Sequence, residues 1–337
     1  MVEGSKEEIL IKSIMSSKGK ICQLSNEYCK RISNLPFQTK EGNSAIVRDT
    51  YICPLCLKLF KVNELKGTIT DYLSLEDVPP KALGGHPLML TCKRCNNWSG
   101  HELDHYLQTE IDYEDNVSIR SEKGVRGILS AKGININARL KIESDQSISI
   151  NIERSNNNPI KYEEFLAEVG MMGANWQKEV KAYQLTEKNR NPVRADIALL
   201  KSAYLLAFYV LGYKYILNSS LSPIRKQILN PDKDIISSYI LNYGDGIPNY
   251  ISDGVYAAEI RGKRLLAIII SIKMKESVII HRYIVALPFL GVDYNIYDEI
   301  GLLKEGNNVN ITLLGFAKMN DWEVKPFPQK ERHYLVY

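Results

Sequence analysis

Two pairs of cysteines constrain the fold of this chain more than any other feature of its sequence. Two residues separate Cys53 from Cys56 and Cys92 from Cys95, and 35 residues lie between the pairs. Each CxxC turn can present two thiolates to one metal ion, and two such turns complete a tetrahedral zinc site without an open position. The spacing therefore predicts a structural zinc ion, which would supply folding free energy to a short segment. Fortuitous pairs or a redox motif are the alternatives.

Other features indicate an intracellular protein. Residues 1–20 alternate charged and apolar side chains, without the hydrophobic run or small-residue cleavage site of a secretory signal. The most apolar stretch, 265–272, is far shorter than the about 20 residues that span a bilayer. We therefore expect a cytoplasmic protein without a membrane partner. In that compartment the six cysteines are metal ligands or free thiols rather than disulfides.

Apolar periodicity predicts an α+β protein in three parts. Residues 1–50 comprise a helix over 6–34 and a polar linker, 51–115 form the cysteine module, and 116–337 form a larger α+β domain. The elements expected in the last part are strands within 125–153, helices over 193–217 and 222–229, and two strands, 264–275 and 277–290, that pair through a turn at Lys275 and Glu276.

The segment between the cysteine pairs carries a specific resemblance. Residues 73–85 read LSLEDVPPKALGG, and residues 90–104 read LTCKRCNNWSGHELD. With CPLC before them, they resemble in order and spacing the HNH endonuclease family in its four-cysteine form. The resemblance covers about residues 51–108. It implies a zinc-stapled ββα-metal nuclease that hydrolyses phosphodiester bonds of DNA, a class found in stand-alone bacterial proteins and in effectors of phage defence.

The resemblance assigns a catalytic role to three positions. Glu76 and Asn96 correspond to ligands of a divalent metal ion, Mg²⁺ or Mn²⁺. Asp77 stands where the family carries the histidine that deprotonates water, and Pro87 falls near the position of a bracing asparagine. An aspartate, with a pKa of about 3.9 against about 6.5 for histidine, is the weaker base at neutral pH. Its carboxylate is nevertheless a good ligand for a hard cation, so we expect Asp77 to bind the metal ion or a metal-bound water.

A separate histidine would then act as the general base. We favour His101, five residues after Asn96 on the same predicted helix, although a regular α-helix turns it about 140° away. His86 follows the glycine pair and could move toward Asp77. His105 shares a helix face with His101. Ordinary surface histidines are the alternative explanation.

Several neighbours of these residues have simpler expected roles. Ser99 is a candidate N-cap of the helix, with Glu102 three residues later. Asp104 is expected to be a surface carboxylate. The pair Gly84-Gly85 predicts a tight turn. Trp98 could pack on the zinc turn, which we favour, or stack on a nucleic acid.

Charge alone does not identify a partner. The net charge is only +4, although basic runs at 120–141 and 259–282 could line a phosphate groove or form a solvated sheet face. We expect a metal-dependent HNH-type endonuclease whose partner is DNA. A catalytically silent nucleic-acid-binding or scaffold protein that keeps the zinc-stapled fold is the alternative. A third possibility is an effector that stays inactive until a partner protein or a signal engages residues 116–337. We expect that domain to bind DNA, sense a ligand or contact a partner, and a regulatory protein or a second copy of the chain is a possible partner.

Overall fold

The computed structural model contains helices and antiparallel sheets, which confirms the α+β class. None of the helices within the described ranges is long and apolar enough to cross a membrane. The described residues are 6–33, 35, 37–38, 44–45, 47–65, 67–117, 125–143, 147–184, 190–236, 239–243, 247–275, 277, 279–291, 296–301, 310–317, 325–326 and 333–336.

The helices and strands alternate irregularly along the chain. The α-helices are α1 (Lys6–Ser33), α2 (Ile69–Tyr72), α3 (Lys93–Ser99), α4 (His105–Val117), α5 (Pro159–Met172), α6 (Trp176–Glu179), α7 (Pro192–Leu211), α8 (Tyr213–Ile216), α9 (Ser222–Leu229) and α10 (Ile296–Gly301). The strands are β1 (Phe37–Gln38), β2 (Ser44–Ala45), β3 (Thr50–Ile52), β4 (Leu59–Lys61), β5 (Leu73–Val78), β6 (His86–Cys92), β7 (Val125–Ala131), β8 (Ile134–Ile142), β9 (Ile148–Asn151), β10 (Lys181–Gln184), β11 (Ile240–Tyr243), β12 (Gly254–Ile260), β13 (Lys263–Ile272), β14 (His281–Pro288), β15 (Asn310–Ala317), β16 (Lys325–Pro326) and β17 (His333–Val336).

The chain divides into two compact units whose ranges differ from the three parts expected from the sequence. The first unit comprises residues 1–105, 193–272 and 281–337, and the second comprises 106–192 and 273–280. The cysteine module therefore belongs to the same unit as α7 and the large C-terminal sheet. The region 116–337, which the apolar pattern assigned to one domain, is shared between both units.

In the first unit, two short hairpins and a helix form the cysteine module. Strand β3 pairs with β4, and β5 pairs with β6, both antiparallel. Helix α1 packs against β3, β5 and β6, and it covers them with Tyr28 and Ile32, which are fully buried. The Tyr28 ring stacks on Phe208 of α7 at a centroid distance of 4.9 Å and meets the Tyr51 ring of β3 edge-on at 5.7 Å.

Helix α7 lies in the core of the first unit. Apolar residues occupy nearly all faces of this helix, and most of its side chains are buried. An amphipathic helix would be buried along one face alone. It ends at Gly212, whose φ of 70° breaks the predicted helix 193–217 into α7 and α8. The large sheet has the strand order β11-β14-β13-β12-β15-β16, and β17 also pairs with β15. The Tyr215 hydroxyl of α8 donates to the Pro288 carbonyl in this sheet at 3.0 Å.

The strands β13 and β14 pair as predicted, but their connection is longer than the expected two-residue turn. It runs from residue 273 to 280, and Glu276 lies outside the described residues. The predicted helix 222–229 is confirmed as α9.

The second unit is a smaller sheet covered by a helix. Its strands have the order β10-β7-β8-β9, and the predicted strands in 125–153 are confirmed. Phe165 of α5 packs into the apolar face formed by Leu129, Ala131, Ile136 and Ala138. Asn158 caps α5 by accepting from the backbone N–H groups of Ile160 and Lys161.

Candidate metal centre and acidic hairpin

The first cysteine pair lies in the turn that joins β3 to β4. The Cys53 N–H donates to the Lys58 carbonyl at 3.0 Å, and the Leu57 N–H donates to the Cys53 carbonyl at 2.9 Å. Leu57 has a φ of 57°, a left-handed conformation that closes this tight turn. The second pair lies where β6 ends and α3 begins, so both pairs are held by regular backbone structure.

The four cysteines converge on one point. Their sulfur atoms all lie within 4.8 Å of one another, and the Cys56 and Cys92 sulfurs are 3.8 Å apart. A tetrahedral zinc ion with Zn–S bonds of about 2.3 Å places its sulfurs about 3.8 Å apart, so the cluster fits zinc. Hydrogen bonds from the Cys53 thiol, and then from Cys92 and Cys95, hold the pKa of Cys56 well below its usual range. Hydrogen bonding, led by Cys53, lowers the pKa of Cys92 to about 7, whereas hydrogen bonds with Cys56 and with Cys53 raise the pKa values of Cys53 and Cys95, respectively, above their usual range.

Tyrosines of α7 and α8 tie the first zinc turn to the core. The Tyr204 hydroxyl donates to the Pro54 carbonyl at 2.8 Å. The Tyr213 hydroxyl donates to the Ile52 carbonyl at 2.9 Å and accepts from the Ile52 N–H at 3.0 Å. These hydrogen bonds satisfy buried backbone N–H and carbonyl groups in and next to the turn, which would otherwise lack partners.

A bulge separates the two acidic side chains of the β5–β6 hairpin. The strand register shifts between Glu76 and Asp77, after which Asp77 lies opposite Pro87 and Val78 opposite His86. Glu76 is buried, whereas Asp77 is partly exposed. Burial is the main cause that raises the pKa of Asp77, and the nearby Glu76 carboxylate raises it further. The charges of Lys81, His86 and Lys20 act in the opposite direction.

The loop of the hairpin needs glycine at both predicted positions. Gly84 has a φ of 87°, in the left-handed region. A Cβ atom at Gly85 would lie 1.5 Å from the Pro79 carbonyl oxygen, so the backbone approach excludes every other residue. The predicted tight turn is therefore confirmed.

Glu76 belongs to a buried ion cluster with a lysine from α7. The Lys201 ammonium lies 2.9 Å from Glu76 Oε1, 2.8 Å from Asp104 Oδ2 and 3.2 Å from Ser99 Oγ. The other carboxylate oxygen, Glu76 Oε2, accepts from the Thr91 hydroxyl at 2.7 Å. Side-chain exposure is 1% for Lys201 and 3% for Glu76. Burial acts to lower the pKa of Lys201, but Glu76 and Asp104 outweigh it and raise that pKa, so the ammonium is charged at neutral pH.

A π-helical turn brings Asp104 into this cluster. Residues Gly100–Asp104 form the turn between α3 and α4, and the His105 N–H donates to the Gly100 carbonyl. The wider turn aligns Asp104 with Ser99, five residues earlier, so that both contact Lys201. The expectation that Asp104 is a surface carboxylate is therefore wrong. Ser99 is likewise not an N-cap, because α3 already begins at Lys93, directly after the zinc ligand Cys92.

These contacts favour a structural role for Glu76. Both of its oxygens accept hydrogen bonds inside the protein, and a divalent cation at this carboxylate would lie beside a buried ammonium of like charge. Among the described residues, the four cysteines are the group of three or more His, Cys, Asp or Glu side chains whose ligand atoms converge. We therefore leave Glu76 out of the ligand set proposed below.

Asp77 and Asn96 lie on neighbouring elements. The Asn96 Nδ2 group of α3 donates to the Leu75 carbonyl at 2.8 Å, two residues before Asp77 in β5. This bond directs the amide N–H toward the strand and leaves the amide oxygen as the group available to a ligand. The carboxylate of Asp77 and the amide oxygen of Asn96 are the kinds of ligand that hard divalent cations prefer.

The histidines differ in their relation to Asp77. His86 lies opposite the residue that follows Asp77, and its charge acts on that carboxylate. His101 is exposed within the π-turn, where the regular rotation of about 100° per residue does not apply. His105 is exposed at the start of α4. The choice of His101 as the base stays a prediction.

The sequence reasoning missed Lys201 and Thr91. A signal for Lys201 was present, because it is the one charged residue within the apolar run IALLKSAYLLAFYVL of α7. A lysine at the centre of a buried helix requires a buried counter-charge. Thr91 gave no signal, since an alternating strand accommodates threonine on either face.

Some basic side chains of the two predicted basic runs contact other described residues. Lys132 pairs with Glu168, and Lys141 pairs with Glu143. The Arg282 guanidinium donates to the Pro248 carbonyl at 2.8 Å. Arg120 and Lys123 lie outside the described residues.

Comparison of the chain with known protein families, with curated proteins and with solved structures finds no match. The resemblance to HNH endonucleases therefore rests on the motif and on the geometry of its ββα region. What the structure supports directly is a zinc-binding module, with a four-cysteine cluster at the junction of a hairpin and a helix.

Proposed function

We propose that this protein is a metal-dependent HNH-type endonuclease that hydrolyses phosphodiester bonds of DNA. One observation carries the proposal. Helix α3 follows β6 directly at the cysteine cluster, and its Asn96 donates to the Leu75 carbonyl of β5, two residues before the partly exposed carboxylate of Asp77. A hairpin, a zinc turn and a helix with oxygen ligands is the arrangement that the resemblance implies.

Asp77 and the amide oxygen of Asn96 would hold the Mg²⁺ or Mn²⁺ ion. That ion would stabilise negative charge on the scissile phosphate and lower the pKa of a bound water. Asn96 also positions β5 through its bond to Leu75. The buried Glu76 anchors the strand, because its ion pair with Lys201 fixes the residue next to Asp77.

His86 would act as the general base, since it lies beside Asp77 in the hairpin and is exposed to solvent. It would accept the proton of the attacking water on a ring nitrogen and release it to solvent. His101 is the alternative base. Replacing the true base by glutamine should lower the cleavage rate by about 10²–10⁴, so His86→Gln and His101→Gln, each compared with wild type, identify it.

A second candidate function is favoured by the ion cluster. Because Lys201 already neutralises Glu76, the module could be a catalytically silent nucleic-acid-binding or scaffold protein that keeps the fold. A role in phage defence, and control by a regulatory protein or by self-association, are further proposals from the resemblance.

Supercoiled plasmid separates the two functions. Purified, zinc-loaded protein is incubated with plasmid in Mg²⁺, in Mn²⁺ or in EDTA, and the products are resolved on a gel. The endonuclease proposal predicts nicked and linear plasmid with either metal ion and none in EDTA, while the protein keeps its zinc. Retarded but uncut plasmid under every metal condition would instead support the silent binding protein.

A further inference from the structure

A cavity of about 630 Å³ opens beside the cysteine cluster in the first unit. Strand β4, helices α2 and α3, and the end of α9 line it, and three of the cysteines form one wall. Its volume lies within the range of about 300–1,000 Å³ typical of small-molecule sites. A single zinc ion fills only a small part of this volume, so the cavity has room for a further ligand.

The cavity is positively charged. Lys58, Lys93 and Arg94 line it, against one carboxylate, Asp71. Lys93 and Arg94 are exposed, and neither forms an ion pair with any residue that the structure describes. Lysine and arginine side chains without counter-charges at a concave surface attract anions, and arginine binds phosphate oxygens with particular geometric fit.

Aromatic rings form another part of the same wall. Trp98 lies one turn after Cys95 in α3 and is partly buried, and Tyr72 at the end of α2 is 48% exposed. Phe60 also lines the cavity and is buried, with the Lys58 ammonium 5.5 Å from its ring centroid. Exposed aromatic faces next to cations are the combination that binds single-stranded nucleic acids, because a base stacks while its phosphate is neutralised.

We propose that this cavity binds one nucleotide unit of a single-stranded nucleic acid, with its phosphate at Lys93 and Arg94 and its base stacked on Trp98 or Tyr72. A paired, stacked base offers no free face, and a duplex about 20 Å wide does not enter a cavity of this volume. If the bound strand is also the strand that is cut, the nuclease substrate is unpaired DNA, and this part of the inference rests on the proposed endonuclease function. Binding itself is independent of cleavage.

Binding is measured by fluorescence anisotropy with a labelled oligothymidylate, in buffer without Mg²⁺ or Mn²⁺ so that nothing is cut. Lys93→Gln/Arg94→Gln is compared with Lys214→Gln/Lys233→Gln, whose lysines are equally exposed but lie outside the cavity. The cavity variant should bind at least about tenfold more weakly. Its dependence of log K on log salt should be shallower by about 0.7, the slope for one neutralised phosphate of a single strand. The control variant should bind as the wild type does.

The aromatic contact is tested separately. Trp98→Ala and Tyr72→Ala remove the two candidate platforms, and the one that stacks should weaken binding by about 5- to 150-fold. Trp98→Phe should keep most of the affinity if Trp98 stacks. Zinc content and the midpoint of unfolding show that each variant is folded, and Tyr72→Ala is the safer substitution because half of its side chain is exposed.

Three results would overturn the proposal: wild-type affinity in Lys93→Gln/Arg94→Gln, equal losses in the cavity and control variants, or duplex bound as tightly as single strand through the same residues. Displacement of the oligonucleotide by thymidine monophosphate supports a site for one nucleotide unit. If the strand binds through these residues but plasmid is never cut, the endonuclease proposal fails and the binding site stands.

Discussion

The Lys201 ammonium has three donors, and the structure provides three acceptors: two carboxylates and a hydroxyl at 2.8–3.2 Å. A fully hydrogen-bonded ammonium between carboxylates offsets its loss of hydration, whereas removal of one partner leaves buried charge. The second oxygen of Asp104 is buried and has no hydrogen-bond partner among the described residues. Burial, opposed by Lys201 and reinforced by Glu76, raises the pKa of Asp104. Neutralising the lysine should therefore have a large effect.

Lys201→Met removes the positive charge and keeps the apolar stem. It should lower the free energy of unfolding by about 3–5 kcal/mol, because Glu76 and Asp104 stay buried without a counter-charge. Urea denaturation of zinc-loaded protein measures this. Combining Lys201→Met with Glu76→Gln should cost less than the sum of the two single changes. The exposed Lys214→Met is the control and should change stability by less than about 0.5 kcal/mol; a similarly small loss in Lys201→Met would contradict the ion cluster.

At the scale of elements, the two zinc turns connect the β3–β4 hairpin to the junction of β6 and α3, which the Tyr51 hydroxyl also links by donating to the Leu90 carbonyl. The first turn closes the β3–β4 hairpin, and the second ends β6 and begins α3. The Cys92 N–H also donates to the Cys53 sulfur at 3.3 Å, a bond between the two turns. Such N–H bonds to ligand sulfurs are part of the environment that positions and tunes a metal site. The orientation of the β5–β6 hairpin against α3 should therefore depend on the metal ion.

Cys53→Ser should release the zinc ion and destabilise the first unit, since structural zinc contributes directly to folding. Wild-type protein should contain one zinc ion per chain, as measured by metal analysis. Cys22→Ser is the matched control because Cys22 is an exposed thiol on α1, outside the cluster. It should keep the zinc ion and the wild-type midpoint of thermal unfolding. Wild-type zinc content in Cys53→Ser would show that the four-cysteine assignment is incorrect.

The sequence predicted these elements best where a signal was local. The CxxC spacing, the alternation in β8 and the apolar density of α7 each depend on neighbouring residues, so those elements could be identified. The π-turn could not, because GHELD has no composition that distinguishes it from α-helix, and the partner that Asp104 reaches through this turn, Lys201, is distant in sequence. The roles of Glu76 and Asp104 depend on a lysine that lies 125 and 97 residues away in the sequence, a separation that no periodic pattern reveals.

At the scale of the whole molecule, the cysteine module is not a separable N-terminal domain. It shares a compact unit with residues 193–272 and 281–337. Helices α7 and α8 contribute Lys201, Tyr204 and Tyr213, which bind Glu76, Pro54 and Ile52 inside the module. The motif alone suggested a self-contained nuclease segment of about 60 residues. The spacing of the motif residues carries no information about α7 and α8, which pack on the module.

A fragment of residues 1–115 should therefore fold poorly. Without α7 and α8 it exposes Tyr28, Tyr51 and the Glu76 carboxylate, all of which are buried in the full chain. We expect the fragment to bind zinc but to unfold without a cooperative transition in circular dichroism, whereas the full chain unfolds cooperatively. Cooperative unfolding of the fragment at the midpoint of the full chain would contradict this dependence.

The cleavage activity of Asp77→Ala tests the central proposal most directly. The side chain is partly exposed and outside the ion cluster, so its removal should leave zinc content and the unfolding midpoint unchanged. Wild type and Asp77→Ala, purified in parallel, are incubated with supercoiled plasmid and Mg²⁺ or Mn²⁺. The account predicts nicking by the wild type and none by Asp77→Ala. Equal nicking by both proteins would contradict the assignment of this hairpin as the catalytic site.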